Sequence, residues 1–436
     1  MMTKRGAISA VVVGVLLLLV TAAGVYSLLA DDGAGQTSDR VVAQADPLGD
    51  AISAAQQRLE RLPGDYRTWA ELGATYVEQA RATADPSYYP RAEGALQESL
   101  DLRPDGNDTA LTGMGALANA RHDFEAAADF ARQALEVNSY SARAYGVLTD
   151  ALIQLGDYPG ATAAVEQMLA LKPGIASFTR ASYDSELHGD IAGAWNALER
   201  ALELALDPGT EAFVIYYLGQ LAFTTGDLDE AEAQFAAGIE KAPSDPLLTL
   251  GQARVDAAQG DIEAAIRGFQ NAVNRRPLPE YFIEFGQYLE SLGRMAEAQD
   301  QFELVVTVRT LFTANGVADD LSTALFAADH NDPVTAVAAA QTEYERRENI
   351  DSSDAMAWAL FSAGRYDEAL PYAVAATSIG GNNALFLFHR GMIESELGLR
   401  DQARASLTLA LETNPYFSPL HQDDAEAALD ALGGPN

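Results

Sequence analysis

The sequence of 436 residues has no cysteine. Disulfide bridges, thiol catalysis, cysteine-ligated zinc and the lipidated cysteine of a lipoprotein are all excluded with it. Basic side chains are scarce: 28 Lys and Arg stand against 63 Asp and Glu, a formal charge of −35, and the lysines are Lys4, Lys172 and Lys241 alone. A surface that acidic argues against nucleic acid and against docking on anionic lipid, both of which need basic patches. It serves solubility or a salty habitat as readily as the choice of a partner. Catalytic signatures are missing as well: there is no Gly-rich phosphate loop with Lys, no nucleotide-binding Gly triad, no His-Glu-x-x-His and no Gly-x-Ser-x-Gly. The histidines His122, His188, His330, His389 and His421 lie far apart, none with a second His at ligand spacing, and read as surface or turn residues. No enzyme, cofactor, metal or small-molecule substrate is expected.

One long stretch lacks charge altogether. Gly6 to Ala30 follows Lys4 and Arg5 and precedes Asp31 and Asp32, and at about 1.5 Å per helical residue it can cross a hydrocarbon core of roughly 30 Å. The charge asymmetry puts the N-terminus in the cytoplasm and the rest of the chain outside. The expectation is a single-pass membrane anchor over 1–30. A cleaved signal peptide leading to secretion is the alternative, since Ala22-Ala23-Gly24 and Ala30 offer small residues to a peptidase. Residues 31–46, polar and Gly-rich, are a flexible linker.

What the chain has in abundance is repetition. Gly226-Asp227-Leu228 recurs 34 positions later as Gly260-Asp261-Ile262. Each triplet sits between two apolar runs with helical period, the second being Ala231…Phe235…Gly238…Pro243 in one copy and Ala265…Phe269…Ala272…Pro277 in the other. Glycine can take the left-handed conformation that closes a helix C-terminus, and the Asp after it can accept from the free N–H groups of the next helix. Gly219 and Ala231 are the small residues where two such helices would touch, with Leu218, Ala222 and Phe235 around them. A period of this length with this content predicts helical hairpins stacked many times.

The spacing resembles the tetratricopeptide repeat, whose units carry a large residue at the fourth position, a Leu-Gly pair at the seventh and eighth, and Tyr at the eleventh. Small Ala, Phe, Ala and Pro then follow at the twentieth, twenty-fourth, twenty-seventh and thirty-second. The copy starting at Ala212 supplies Ile215, Leu218, Gly219, Ala222, Ala231, Phe235, Gly238 and Pro243, and that starting near Tyr66 supplies Trp69, Leu72, Gly73, Tyr76, Ala92, Leu96, Ser99 and Pro104. In the latter an excess from Ala84 to Pro90, with two prolines, reads as a loop. Between Val317 and Asn349 the pattern is weakest, with Asp320 where an aromatic belongs and a spare Thr313–Gly316 before it. The expected fold is therefore all-α: a right-handed superhelical solenoid of about ten such hairpins over 66–417, preceded by the transmembrane helix and a capping helix in 47–65, and closed by a capping helix and tail in 418–436.

The resemblance also implies where a partner binds, because the first helices of such units line a concave groove at positions 2, 5, 6, 9, 12 and 13. Carried over, these positions give Arg143, Asp150, Arg180, Tyr183, Phe213, Tyr216, Tyr217, Gln220, Arg254, Glu284, Gln287, Phe388 and Met392. Tyrosine and arginine are the residue types that most often carry interface energy. The strip of Tyr216, Tyr217, Arg254 and Arg180 is expected to receive an extended segment of a protein or peptide partner, unless the tyrosines pack between units. The Lys and Asn clamp for a chaperone's terminal carboxylate and the asparagine ladder of a glycosyltransferase are both absent. The functional expectation is a non-catalytic scaffold or adaptor on the extracytoplasmic side of the cell membrane. The alternative is a client-holding assembly or maturation factor of the cell envelope, of the kind that serves cytochrome maturation.

Overall fold

A computed structural model describes residues 46–434. The expected anchor over 1–30 and all but the last residue of the linker over 31–46 lie outside the described residues. Among those described there are 22 helices and no strand, and none of these helices is long and apolar enough to cross a membrane. A first helix, α1 (Pro47–Arg61), precedes ten hairpins, and a last helix, α22 (Gln422–Ala431), follows them. The middle hairpins pair α8 (Ile175–Leu187) with α9 (Ile191–Glu203), α10 (Pro208–Thr224) with α11 (Leu228–Lys241), α12 (Pro246–Gln259) with α13 (Ile262–Arg275), and α14 (Pro279–Ser291) with α15 (Met295–Ala314).

The turn inside each hairpin works as the residues dictate. Gly226 and Gly260 have φ of +78° and +80°. The N–H of Asp227 then reaches back to the carbonyl of Ala222 at 2.9 Å, which satisfies a helix-end acceptor that would otherwise face nothing. The Asp227 carboxylate accepts from the N–H of Glu230 at 3.1 Å, and Asp261 does the same for Ala264 at 3.0 Å. Packing between units rests on the small positions. Phe235 is fully buried, wedged between Gly219 of its own hairpin and Gly251 of the next; a Cβ on either would stand 2.7 or 2.4 Å from the Phe235 ring. The glycine of the first helix thus makes the hole that the aromatic of the second fills.

Three irregular stretches have local explanations. The loop expected from Ala84 to Pro90 ends at Ser87, because α3 (Tyr88–Leu102) takes Tyr88 to Pro90 as its first turn. Proline is tolerated there, since first-turn N–H groups have no intrahelical partner. Tyr89 is buried in that turn. Of the spare residues before the weak unit, Thr313 and Ala314 lengthen α15, while Asn315 caps it and Gly316 turns the chain at φ +87°. In that unit Asp320 is held by Arg346 of the same hairpin at 2.5 Å, while Ala324, Ala336 and Ala340 stay fully buried at the helix contact.

The solenoid also touches itself. After α4 (Asp108–Ala120), Arg121 donates to the carbonyl of Asn315 at 3.2 Å across 194 positions, and His122 Nδ1 meets the carbonyl of Ala318 at 2.6 Å. A carbonyl only accepts, so that ring nitrogen carries the proton. After α6 (Ala142–Gln154), the amide of Asn349 donates to the Gln154 carbonyl at 2.8 Å, and Arg347 reaches the Gln154 side chain. After α8, the N–H of Gly381 donates to the carbonyl of Leu187 at 2.9 Å. After α10, Gly226 lies against Thr413, whose carbonyl oxygen a Cβ on Gly226 would meet at 2.9 Å. Turns from the first half are therefore seated on inter-unit turns just under six hairpins further along. The superhelix completes a turn and closes on its own edge.

Candidate binding cavity

Closure converts the expected open groove into a cavity of about 790 Å³. Tyr183, Phe213, Tyr216, Tyr217, Gln220, Arg254 and Glu284 all line it, brought together because α8, α10, α12 and α14 are successive first helices facing inward. Phe213 and Tyr216 each meet the Tyr217 ring edge-on, at centroid distances of 4.9 and 5.1 Å. Burial raises the Tyr216 and Tyr217 hydroxyls above the ordinary phenol range, so both remain neutral donors.

The charged members do not wait for a partner. Arg254 holds Glu284 two-pronged at 2.6 and 2.8 Å and donates to the Gln220 amide oxygen at 2.9 Å. This tie joins α10, α12 and α14 side by side. Outside the cavity lining, Arg180 grips Asp150 through two bonds at 2.8 and 2.6 Å, both side chains almost entirely buried. Gly146 makes room for that guanidinium, which a Cβ there would approach to 3.3 Å. Polar residues at groove positions of neighbouring units thus satisfy one another across the stack.

The remaining expected groove residues lie elsewhere. Arg143 is exposed and is not among the residues lining the cavity. Gln287 is fully buried, its amide without a hydrogen-bond partner among the described residues. Phe388 is core, packed on Trp358, Phe417 and His421, and Met392 packs against the same apolar cluster. The reason is local: near its C-terminal end the stack is covered by α22 and the Phe417–His421 segment, so positions that would face a groove face the cap. Two histidines are likewise corrected. His389 and His421 are fully buried beside Trp358 rather than on the surface, with His389 Nδ1 2.9 Å from Asp354 and His421 Nε2 3.7 Å from Asp329. The Trp358 indole N–H donates to Asp329 at 2.7 Å.

Other residues complete the wall. Tyr89, Glu186, Arg276, Glu280, Tyr281 and Asp351 line it. Burial pushes the carboxyls of Glu186 and Glu280 up to about 7 and that of Asp351 up to about 6. Near neutral pH Glu186 and Glu280 are therefore protonated for about half the time, when they can donate as well as accept, while Asp351 is mostly ionised. Glu186 and Glu280 occupy positions 12 and 2 of their units, so the spacing rule could have found them. Arg276 caps α13 on an inter-unit turn, off the repeat pattern. No group of side chains able to hold a metal ion occurs among the described residues.

A self-closing stack of helical hairpins around an aromatic cavity defines an all-helical repeat protein of the interaction type. Residues 188–246 match the tetratricopeptide repeat family. Over 218 residues the chain is 28% identical to cellulose synthase 1 operon protein C of Komagataeibacter xylinus, a match covering 47% of this chain and 16% of that relative. The fold is also similar to a tetratricopeptide repeat protein from Parabacteroides merdae (15% identity, 60% of this chain and 99% of that one, TM-score 0.36). A further similar structure is pilF of Pseudomonas aeruginosa (16% identity, 54% and 96%, TM-score 0.36).

Proposed function

We propose that the protein is a non-catalytic scaffold that holds an extended segment of another protein inside its superhelix, working on the extracytoplasmic side of a membrane to which residues 6–30 tether it. One observation carries the binding part. The inward faces of four consecutive hairpins form a cavity walled by tyrosine rings and by carboxyls that burial leaves partly protonated near neutral pH, with Arg254 already tied to Glu284. Such a wall offers rings to pack on and hydrogen-bond donors and acceptors for a main chain, on a body whose ordering cost has been met in folding. The topology part rests on Lys4 and Arg5 before the uncharged stretch and Asp31 and Asp32 after it.

The absence of native cysteine makes a direct test available. Gln220→Cys, on the cavity wall, and Val334→Cys, on the exposed outer face, are each labelled with a thiol-reactive photo-crosslinker and irradiated in native membranes. A defined polypeptide joined at residue 220 and not at 334, mapped to one segment by mass spectrometry, is the expected result. A broad set of unfolded chains at 220 would indicate the client-holding role instead. No polypeptide adduct specific to 220 would overturn the reading, and a thiol at 334 reactive only from the cytoplasmic side would overturn the topology.

A further inference from the structure

We propose that Arg276 is the anchor for a carboxylate carried by the polypeptide segment that occupies the cavity, a refinement that rests on the reading above. Arg276 is the cavity-lining guanidinium left without a counter-ion among the described residues. The others are engaged: Arg81 with Glu78 at 2.5 Å, Arg254 with Glu284 at 2.6 Å and Arg347 with Glu343. Its backbone N–H closes α13 on Ala272 at 2.9 Å, which fixes the root of the side chain, while its Nε is buried with no hydrogen-bond partner. An unpartnered donor of a permanently charged group carries a desolvation cost that an incoming acceptor relieves.

The surroundings place that charge at the centre of the wall. Arg276 acts electrostatically on Tyr89 of α3, Tyr216 and Tyr217 of α10, and Tyr281 of α14. Glu280, a cavity carboxyl that also feels Arg276, is pushed up to about 7 by burial, and its oxygens make neither an ion pair nor a hydrogen bond with the Arg276 guanidinium, whose Nε stays without a partner among the described residues. A carboxylate brought by the occupant would meet a planar fork suited to two-pronged pairing. Glu186 and Glu280, each partly protonated near neutral pH, would meanwhile serve the alternating N–H and C=O groups of an extended main chain.

The test is selection of twelve-residue random peptides displayed on phage against the full-length protein, alongside R276Q, R276K and Y217A. The expected outcome is a pool with Asp or Glu at one fixed position. A synthetic member should bind R276Q about tenfold or more weakly, bind R276K with part of the loss restored, and lose as much when its own acid becomes the amide. That last swap needs no protein variant, so it stands even if R276Q fails to fold. A pool that Y217A abolishes but that has no acidic position removes Arg276 as anchor and leaves the polypeptide cavity standing. Enrichment of nothing overturns both. Oligogalacturonate bound through Arg276 with no peptide enriched would assign the carboxylate to an acidic saccharide and overturn the peptide.

Discussion

Asn349 donates its side-chain amide to the main-chain carbonyl of Gln154 at 2.8 Å, although 195 positions separate them. The same side chain accepts from the N–H of Ser352 at 2.8 Å and so starts the helix Ile350–Ser362. A helix cap in one turn of the superhelix is thus also a fastener to the turn before it. Beside it Gly156 has φ +79° and a Cβ there would lie 2.3 Å from the Glu348 carbonyl oxygen.

Gly156→Ala should open this seam. Gly293 shares the left-handed conformation at φ +72° but has nothing within reach of a Cβ, so Gly293→Ala costs only the backbone term of about 1 kcal/mol. Gly156→Ala should cost roughly 1–3 kcal/mol more and increase the radius of gyration in small-angle X-ray scattering. Equal scattering curves for the two variants would show that the seam does not hold the coil closed.

Arg254→Ala should lower stability as well as partner capture, because it leaves the buried Glu284 without its guanidinium and frees Gln220. The expected loss is about 2–4 kcal/mol. The double variant with Glu284→Ala should lose less than the sum of the single changes, which a double-mutant cycle on thermal or denaturant unfolding measures. Tyr217→Ala, at a ring on the cavity wall, should mainly weaken capture.

Stability should fall as pH rises from about 4 to about 7. Glu186 and Glu280 have folded values raised to about 7 from 4.5, and Asp351 is raised to about 6 from 3.8. An acid held above its unfolded value contributes fully below the unfolded value and loses that contribution as pH passes the folded one. Allowing for water in the cavity, each is worth on the order of 1–2 kcal/mol. His122 acts in the opposite sense, being depressed by burial, so the informative comparison is wild type against E186Q and E280Q. Each amide variant should flatten the curve of thermal midpoint against pH; unchanged slopes would refute the assignment.

Trp358→Phe removes the indole donor from Asp329, fully buried next to His421. A cost of roughly 1–3 kcal/mol follows from leaving that acceptor short of a partner. Because His421 immediately precedes α22, amide hydrogen exchange should quicken in Gln422–Ala431 before it does in α10. Uniform quickening would mean the cap and the middle of the stack unfold as one.

The hairpins were legible because the residues that build them are local and repeat. Gly226 with Asp227 makes a turn, and Gly219 with Phe235 makes a contact, each within a few dozen positions. The inward-facing set was legible to the extent that position numbers within a unit fix direction, which brought Tyr183, Phe213, Tyr216 and Tyr217 to one wall. Position numbers do not say whether a neighbouring unit already satisfies a charge, so the pairings of Arg180 with Asp150 and Arg254 with Glu284 were hidden. Phe388 and His389 escaped for a related reason: the segment that covers them comes after the last hairpin and obeys no period. The seam left the faintest trace, since it arises from small rotations summed over almost six units and is made largely through main-chain carbonyls such as those of Leu187, Gln154 and Ala318. Carbonyls have no letter in a sequence.

An open stack of hairpins can gain or lose a unit and merely become longer or shorter. The contact of Gly189 with Gly380, where a Cβ would sit 2.6 Å from the opposing carbonyl oxygen, denies this chain that freedom. Insert one brick of about 34 residues anywhere between Gly226 and Asn315 and every fastener faces the wrong neighbour. Between its fasteners the coil keeps count of its own length, and the number of bricks in that span cannot change by one without undoing the seam.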